Sequence, residues 1–261
     1  MAQHLVPVLR LRHSYYLMID FRKRSYQKEL LDRDDIPFAD IQQNMKELDF
    51  INTRLGGHAI TIEGFKKLAR QRKTISVCEI GCGGGDNLNA IYRFCSKKHI
   101  HLKFTGIDIN ADCIAYAKKN TAIPDENYIV SNYKNVDFGN DKPDIIFTSL
   151  FCHHFSDEEL ITIMQWMKAN SKLGFFINDL HRHPIAYHFI KLATKLFSKS
   201  YLVKNDAPLS VLRGFKKIEW KNILHKAGII NYTIQWKWAF RYLITAPCPP
   251  KGKFKLDIYK R

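Results

Sequence analysis

Two acids and three glycines are spaced to hold a small polar molecule. In VCEIGCGGGDNLNAIY (77–92) an apolar run ends at Glu79, and Gly81, Gly83 and Gly85 follow at alternate positions. Glycines so placed let a backbone turn approach a ligand closely, ahead of a helix whose first amides point at it. The dinucleotide fingerprint G-x-G-x-x-G would need its third glycine where Asp86 stands. A pyrophosphate suits a helix N-terminus but not a carboxylate beside it. A ligand with a cationic amino group and no phosphate suits Glu79 better. Asp108 ends the next apolar run, HLKFTGIDI, where a carboxylate can accept from both hydroxyls of a ribose.

Histidines form the second reactive set. His153 and His154 follow PDIIFTSLF (143–151), while His181 and His183 follow KLGFFINDL (172–180). A phenol, with a pKa of about 10, needs a base before it can attack an electrophile, and an imidazole within hydrogen-bond reach is the natural one. His154 and His181 are the candidate catalytic bases, although each also has a packing role open to it. The six cysteines include no C-x-x-C pair, so neither disulfides nor a metal site is expected.

The elements that must position these residues alternate. ISVCEI (75–80), HLKFTGIDI (101–109), NYIVSN, PDIIFTSLF and KLGFFINDL read as strands; 87–98, ADCIAYAKKN and the run after Ser156 read as helices. Ser156 and Glu159 have the spacing of a capping box, and Leu160, Ile163, Met164 and Met167 form the stripe behind it. Two helical patterns follow at 185–199 and 215–227, then YTIQWKWAFRYLIT as closing antiparallel strands; the tail from Cys248 is unassigned. Upstream, Ile41, Met45, Leu48, Ile51 and Leu55 mark a helix face ended by Gly56 and Gly57. The rhythm predicts a doubly wound α/β domain over 73–261, preceded by a helical segment, 1–72, outside the sheet.

Glu79, the glycine turn and Asp108 together resemble the class I S-adenosylmethionine-dependent methyltransferases over roughly residues 75–180. The resemblance implies a Rossmann-like, mostly parallel seven-stranded sheet with an antiparallel last strand, and S-adenosyl-L-methionine as cofactor. It implies that Glu79, Gly81, Gly83 and Gly85 hold the methionine end. Asp108 with Ile109 would hold the ribose and adenine, with Asn132 and Tyr133 flanking the base. ELLDRDDI, LDFINTRLGGH, NDLHRHPIAY and APLSVLRGF resemble bacterial small-molecule methyltransferases found beside type III polyketide synthases. That narrower likeness implies O-methylation of lipophilic phenols or pyrones in secondary metabolism, under an N-terminal helical lid from which Arg24 and His58 could reach the site.

Charge qualifies the acceptor. The net charge is +16, unevenly spread: +5 over residues 1–74, −3 over 75–170 and +14 over 171–261. A basic third can meet nucleic acid, an anionic membrane or plain solvent. Nucleic-acid methylation is disfavoured, since strand four carries no N-P-P-Y-like tetrapeptide and Cys152 lacks the proline of a cytosine-C5 nucleophile. A non-catalytic cofactor-binding protein is a further alternative. In IAYHFIKLATKLFSKSY, Ile185, Phe189, Ile190, Ala193, Leu196 and Phe197 share one helical face, and Lys191, Lys195 and Lys199 another. The favoured reading is a helix covering the sheet with a solvated basic side; the other is a helix at an anionic membrane surface. No apolar run approaches the ~20 residues of a bilayer span, and the start lacks a clean cleavage site, so a cytoplasmic protein is expected.

Overall fold

The computed structural model describes residues 19–249, apart from 34, 122, 124 and 125. Seven strands make one sheet: β1 (Thr74–Ile80), β2 (His101–Asp108), β3 (Glu126–Val130), β4 (Ile145–Ser149), β5 (Gly174–Leu180), β6 (Thr233–Lys237) and β7 (Arg241–Pro247). Their order is β3-β2-β1-β4-β5-β7-β6. The first five pair in parallel, and β7 lies antiparallel between β5 and β6, as the expected fold requires. All five residues of β4 are buried, as befits a central strand covered on both faces. Strand order reverses between β1 and β4, and the crevice at that switch point is where open α/β sheets take their ligands.

Eight α-helices accompany the sheet among the described residues: α1 (Phe38–Arg54), α2 (Gly57–Ala69), α3 (Asp86–Lys97), α4 (Ala111–Asn120), α5 (Asp157–Asn170), α6 (Pro184–Phe197), α7 (Tyr201–Arg213) and α8 (Lys217–Lys226). On one face Phe65, Leu88 and Ile114, from α2, α3 and α4, pack against Val77, Phe104 and Phe147. On the other, Ile163 and Met167 of α5 and Trp220 of α8 cover Cys78, Ile146 and Phe175. Successive strand residues thus feed opposite cores. The capping box opens α5: Ser156 Oγ accepts from Glu159 N at 3.2 Å, and Ser156 N donates back to the Glu159 carboxylate at 2.8 Å. None of these helices is long and apolar enough to cross a membrane.

Three features differ from the sequence reading. Gly56 does close α1, in a left-handed conformation (φ +77°), but Gly57 opens α2. Gly64 lies so close to Phe176 of β5 that a Cβ there would fall 2.5 Å from the ring, so α2 belongs to the layers of the sheet. Helix α7 was not expected. It carries Pro208, a breaker in most sequence contexts, and it buries Asp206 and Arg213, which hide its apolar pattern. Finally, α6 does not turn its apolar stripe inward. Ala186, Tyr187 and Thr194 are its buried residues, while Ile185, Phe189, Leu196 and Phe197 are exposed.

Residues 19–33, with one 3-10 turn at Leu30–Asp32, form a strap fastened to the C-terminal third. Arg182, almost wholly buried, spends all five donors: on the carbonyls of Phe21, Arg22 and Gly214 and twice on Glu219. Asp206 accepts from the amides of Leu30 and Leu31 at 2.8 and 2.9 Å. Ser25 N reaches Leu212 O at 3.0 Å.

Candidate functional site

The turn after β1 has three glycines with positive φ for two different reasons. A Cβ on Gly81 (φ +69°) would meet the Phe151 ring at 2.2 Å, and one on Gly85 (φ +77°) the Tyr128 hydroxyl at 2.6 Å. Gly83 (φ +48°) has nothing within 4 Å and opens into a cavity of roughly 1100 Å³. That exceeds the ~300–1,000 Å³ usual for one small ligand, leaving space for two reactants.

Asp108 ends β2 and lines the same cavity. One carboxylate oxygen accepts from Gly83 N and the other from Asn110 N, both at 2.9 Å. Burial outweighs these bonds and raises its pKa. Ile109 beside it is 75% exposed and lines the same cavity, an apolar surface for a flat ring. Asn132, exposed on the cavity, accepts from Lys134 N and so caps the turn after β3. Tyr133 also borders the cavity, but its ring lies edge-on to Trp166 at 5.3 Å, and burial pushes its phenol up to about 12.

Glu79 is the anomaly. It is buried, neither carboxylate oxygen makes a hydrogen bond of ordinary geometry, and Asn87 is the polar side chain beside it. Burial, reinforced by the charge of Asp86, raises its pKa well above the usual carboxylate range. An orphaned buried carboxylate is costly unless a cation or donor completes it. A ligand's ammonium group would complete it, although Glu79 lies behind the turn and does not itself line the cavity.

Helix α1 roofs the turn. A Cβ on Gly84 would come within 3.3 Å of the Met45 sulfur, and Phe38 meets Tyr116 of α4 edge-on at 6.5 Å. Ile41, Met45 and Leu48 give the cavity an apolar ceiling. His58 of α2 lines it too, with Nε2 2.9 Å from Asp86. Arg24 does not: it donates to the Phe155 carbonyl and packs over the Phe215 ring.

The histidines after β4 meet the strap. His154 lines the cavity, its Nδ1 3.0 Å from Asp32 and its Nε2 3.9 Å from Glu29. His153 is buried, with Nδ1 2.8 Å from Asp179 of β5 and Nε2 3.6 Å from Glu29. Arg213 closes the group, donating to Asp32 at 2.8 Å and to the His153 carbonyl at 3.1 Å. Burial opposes ionisation of Asp32, but hydrogen bonds from His154 and Arg213 carry its pKa far below the usual range. Asp179, likewise buried, is brought down by His153. Burial raises the pKa of Glu29. Glu29, Asp32 and Arg213 were missed as site residues. Two of them stand in ELLDRDDI, about 120 residues from their partners, and only the fold brings them together. Glu29, His153 and His154 also approach one another closely enough for a cation, a grouping no sequence spacing announced.

His181 is a correction. It is absent from the cavity lining and sits instead near Tyr242, at 4.9 Å, and His183, with Trp236 Nε1 donating to its Nδ1 at 3.3 Å. Burial, helped by neighbouring positive charge, lowers its pKa to about 4. Following β5 in sequence placed it near the site; the turn toward β7 takes it away. His183 caps α6, accepting from Ile185 N.

Residues 77–174 match the family model described as a methyltransferase domain. The chain has the fold of the plantazolicin methyltransferase BpumL in complex with SAH (TM-score 0.60, 18% identity, covering 82% of this chain and 91% of that one). BpumL with a pentazolic desmethylPZN analog and SAH gives 0.58 at 16% identity, over 79% and 89% of the two chains. A SAM-dependent methyltransferase from Aquifex aeolicus gives 0.51 at 17% identity, over 71% and 88%. No curated protein sequence matches the chain.

Proposed function

We propose that this chain, which carries a methyltransferase domain in the class I fold, methylates a hydroxyl of a lipophilic phenolic or pyrone-type small molecule. The observation that carries this reading is one cavity with two unlike ends. One is the glycine turn with Asp108 and Ile109, behind which Glu79 lies buried; the other is His154, oriented by Asp32 under an apolar roof. The cofactor is S-adenosylmethionine: Glu79 takes its ammonium group, the open face of Gly83 admits its backbone, Asp108 takes the ribose hydroxyls and Ile109 the adenine. When bound, it supplies an electrophilic methyl group on a leaving group that needs no acid.

The acceptor half then has one proton to move. With Asp32 accepting the Nδ1–H of His154, Nε2, 3.9 Å from the Glu29 carboxylate, is left as the proton acceptor. The acceptor hydroxyl would give its proton to His154 Nε2, leaving an oxygen able to take the methyl group that the bound cofactor would supply, with the demethylated thioether as leaving group. Ile41, Met45 and Leu48 keep water from the resulting phenolate-like oxygen, so that positioning and desolvation supply most of the rate. Residues 19–55 act as the lid, since α1 lies across the turn through which reactants must pass.

Methyl-labelled S-adenosylmethionine, incubated with the protein and an extract of its host, tests this directly. Label in the organic phase, reduced in His154→Ala, supports the reading. Label that nuclease releases assigns the basic third to a nucleic acid. No transfer to any fraction despite cofactor binding makes the chain a binding protein.

A further inference from the structure

We infer that α6 is a docking helix that seats the protein on an anionic lipid bilayer. Ile185, Phe189, Leu192 and Leu196 follow one another at i, i+4, i+7 and i+11, a single ridge along the helix. With Phe197 they are between 56% and 83% exposed. The opposite side, through Ala186, Tyr187 and Thr194, is the packed one. A soluble surface helix turns its largest apolar side chains inward, and scattered exposed ones need no explanation; a continuous exposed ridge does.

Charge identifies what covers it. Lys191, Lys195 and Lys199 run beside the ridge four residues apart, and no acidic residue occurs from 180 to 205. A second copy packed on the same face would set lysine against lysine. Anionic head groups complement the lysines while acyl chains receive the ridge. The start of α6 adjoins the β6–β7 turn, where His183 stacks on Phe240 at 4.8 Å and Phe240 meets Trp236 at 6.0 Å. Trp236 and Trp238 are more than half exposed, and tryptophan is the side chain that favours the head-group level.

The far end of α6 leads back to the cavity. Glu47 of α1 accepts from the Ser198 hydroxyl and from the amides of Lys199 and Ser200, both at 3.0 Å. Helix α1 is the cavity roof, and its exposed Phe50 lies on the rim. If the acceptor is lipophilic, as the proposed function has it, docking through α6 brings the bilayer that dissolves it next to the lid.

Sedimentation of the full chain with phosphatidylglycerol–phosphatidylcholine vesicles, against phosphatidylcholine alone, tests the inference. Binding is expected only with the anionic lipid and should fall with salt. Replacing Lys191, Lys195 and Lys199 together by Gln should weaken it about 100-fold, from roughly a kcal/mol per lysine. Leu192→Glu with Leu196→Glu should weaken it at least about tenfold. Both variants should keep the parent's melting temperature and cofactor affinity, since neither touches the cavity. Failure of the full chain to bind anionic vesicles overturns the inference. So does binding that both variants leave unchanged, or a dimer that the leucine variant splits without altering vesicle binding. Loss of cofactor binding in the parent would count against the proposed function and leave this inference standing.

Discussion

The two ends of the cavity are built in opposite ways. At the β1–β2 end, the turn is tied mainly by backbone amides to the next strand, Gly81 and Cys82 to Ile107 and Gly83 to Asp108, and the side chains of Asn52 and His58 reach Asp86 from no more than 34 residues away. At the β4 end, His154 meets Asp32, 122 residues away, and Arg213 meets Asp32 across 181. The first end is made of backbone shape, the second of side-chain charge. A binding turn can therefore be kept while the acceptor end is rebuilt from distant segments, which is how one scaffold serves many acceptors.

The largest effect should come from the charge-built end. His154→Ala is expected to lower kcat by about 10²- to 10⁴-fold with cofactor affinity unchanged, measured by single-turnover methyl transfer and titration calorimetry. Asp32→Asn should lower kcat less and likewise spare the cofactor. Equal losses of cofactor affinity would show that the two ends are not separable.

Next come the glycines. Gly81→Val drives side-chain atoms into Phe151 from a left-handed backbone and should cost at least about 3 kcal/mol of stability by chemical denaturation. Gly83→Ala meets open space, so it should cost about 1 kcal/mol for its backbone conformation and act mainly on the cofactor Kd. A reversal of that order would place the cavity on the wrong side of the turn.

Glu79→Gln sharpens the same contrast. It replaces a buried carboxyl that lacks hydrogen-bond partners, so the melting temperature should hold or rise while cofactor affinity falls about 10- to 100-fold. In the parent, the carboxylate must be ionised to take an ammonium group, and its folded pKa is raised by burial. Affinity should therefore climb as pH rises above the usual carboxylate range, and this dependence should vanish in the Gln variant.

The smallest effect concerns His181, which the fold removes from the cavity. Its pKa is depressed from 6.5 to about 4 in the folded chain, so folding excludes a proton that the unfolded chain binds. Stability should be lost as pH falls from about 6.5 toward 4, and His181→Gln should flatten that slope in a melting-temperature series without touching turnover.

The same contrast explains what was legible in the sequence. Strands, the capping box at Ser156, Glu79, the glycines and Asp108 carry their signal in residue type and local spacing, which the sequence displays directly. Glu29, Asp32 and Arg213 depend on where a strap lands, which no period encodes. His181 shows the converse: position after a strand predicts an end of the sheet but not which way the next residue turns. Helix α6 was legible as amphipathic, yet its moment cannot say whether the apolar side finds a partner inside the chain.

Arg182 gives the molecule an order in time. Its five donors join Phe21 and Arg22 to Gly214 and Glu219, which are synthesised nearly 200 residues after them. A nascent chain emerging to residue 130 already contains β1 to β3 and the whole glycine turn. The strap must wait about 90 residues more for its anchor, so the acceptor end is the last part of the cavity to be completed during synthesis.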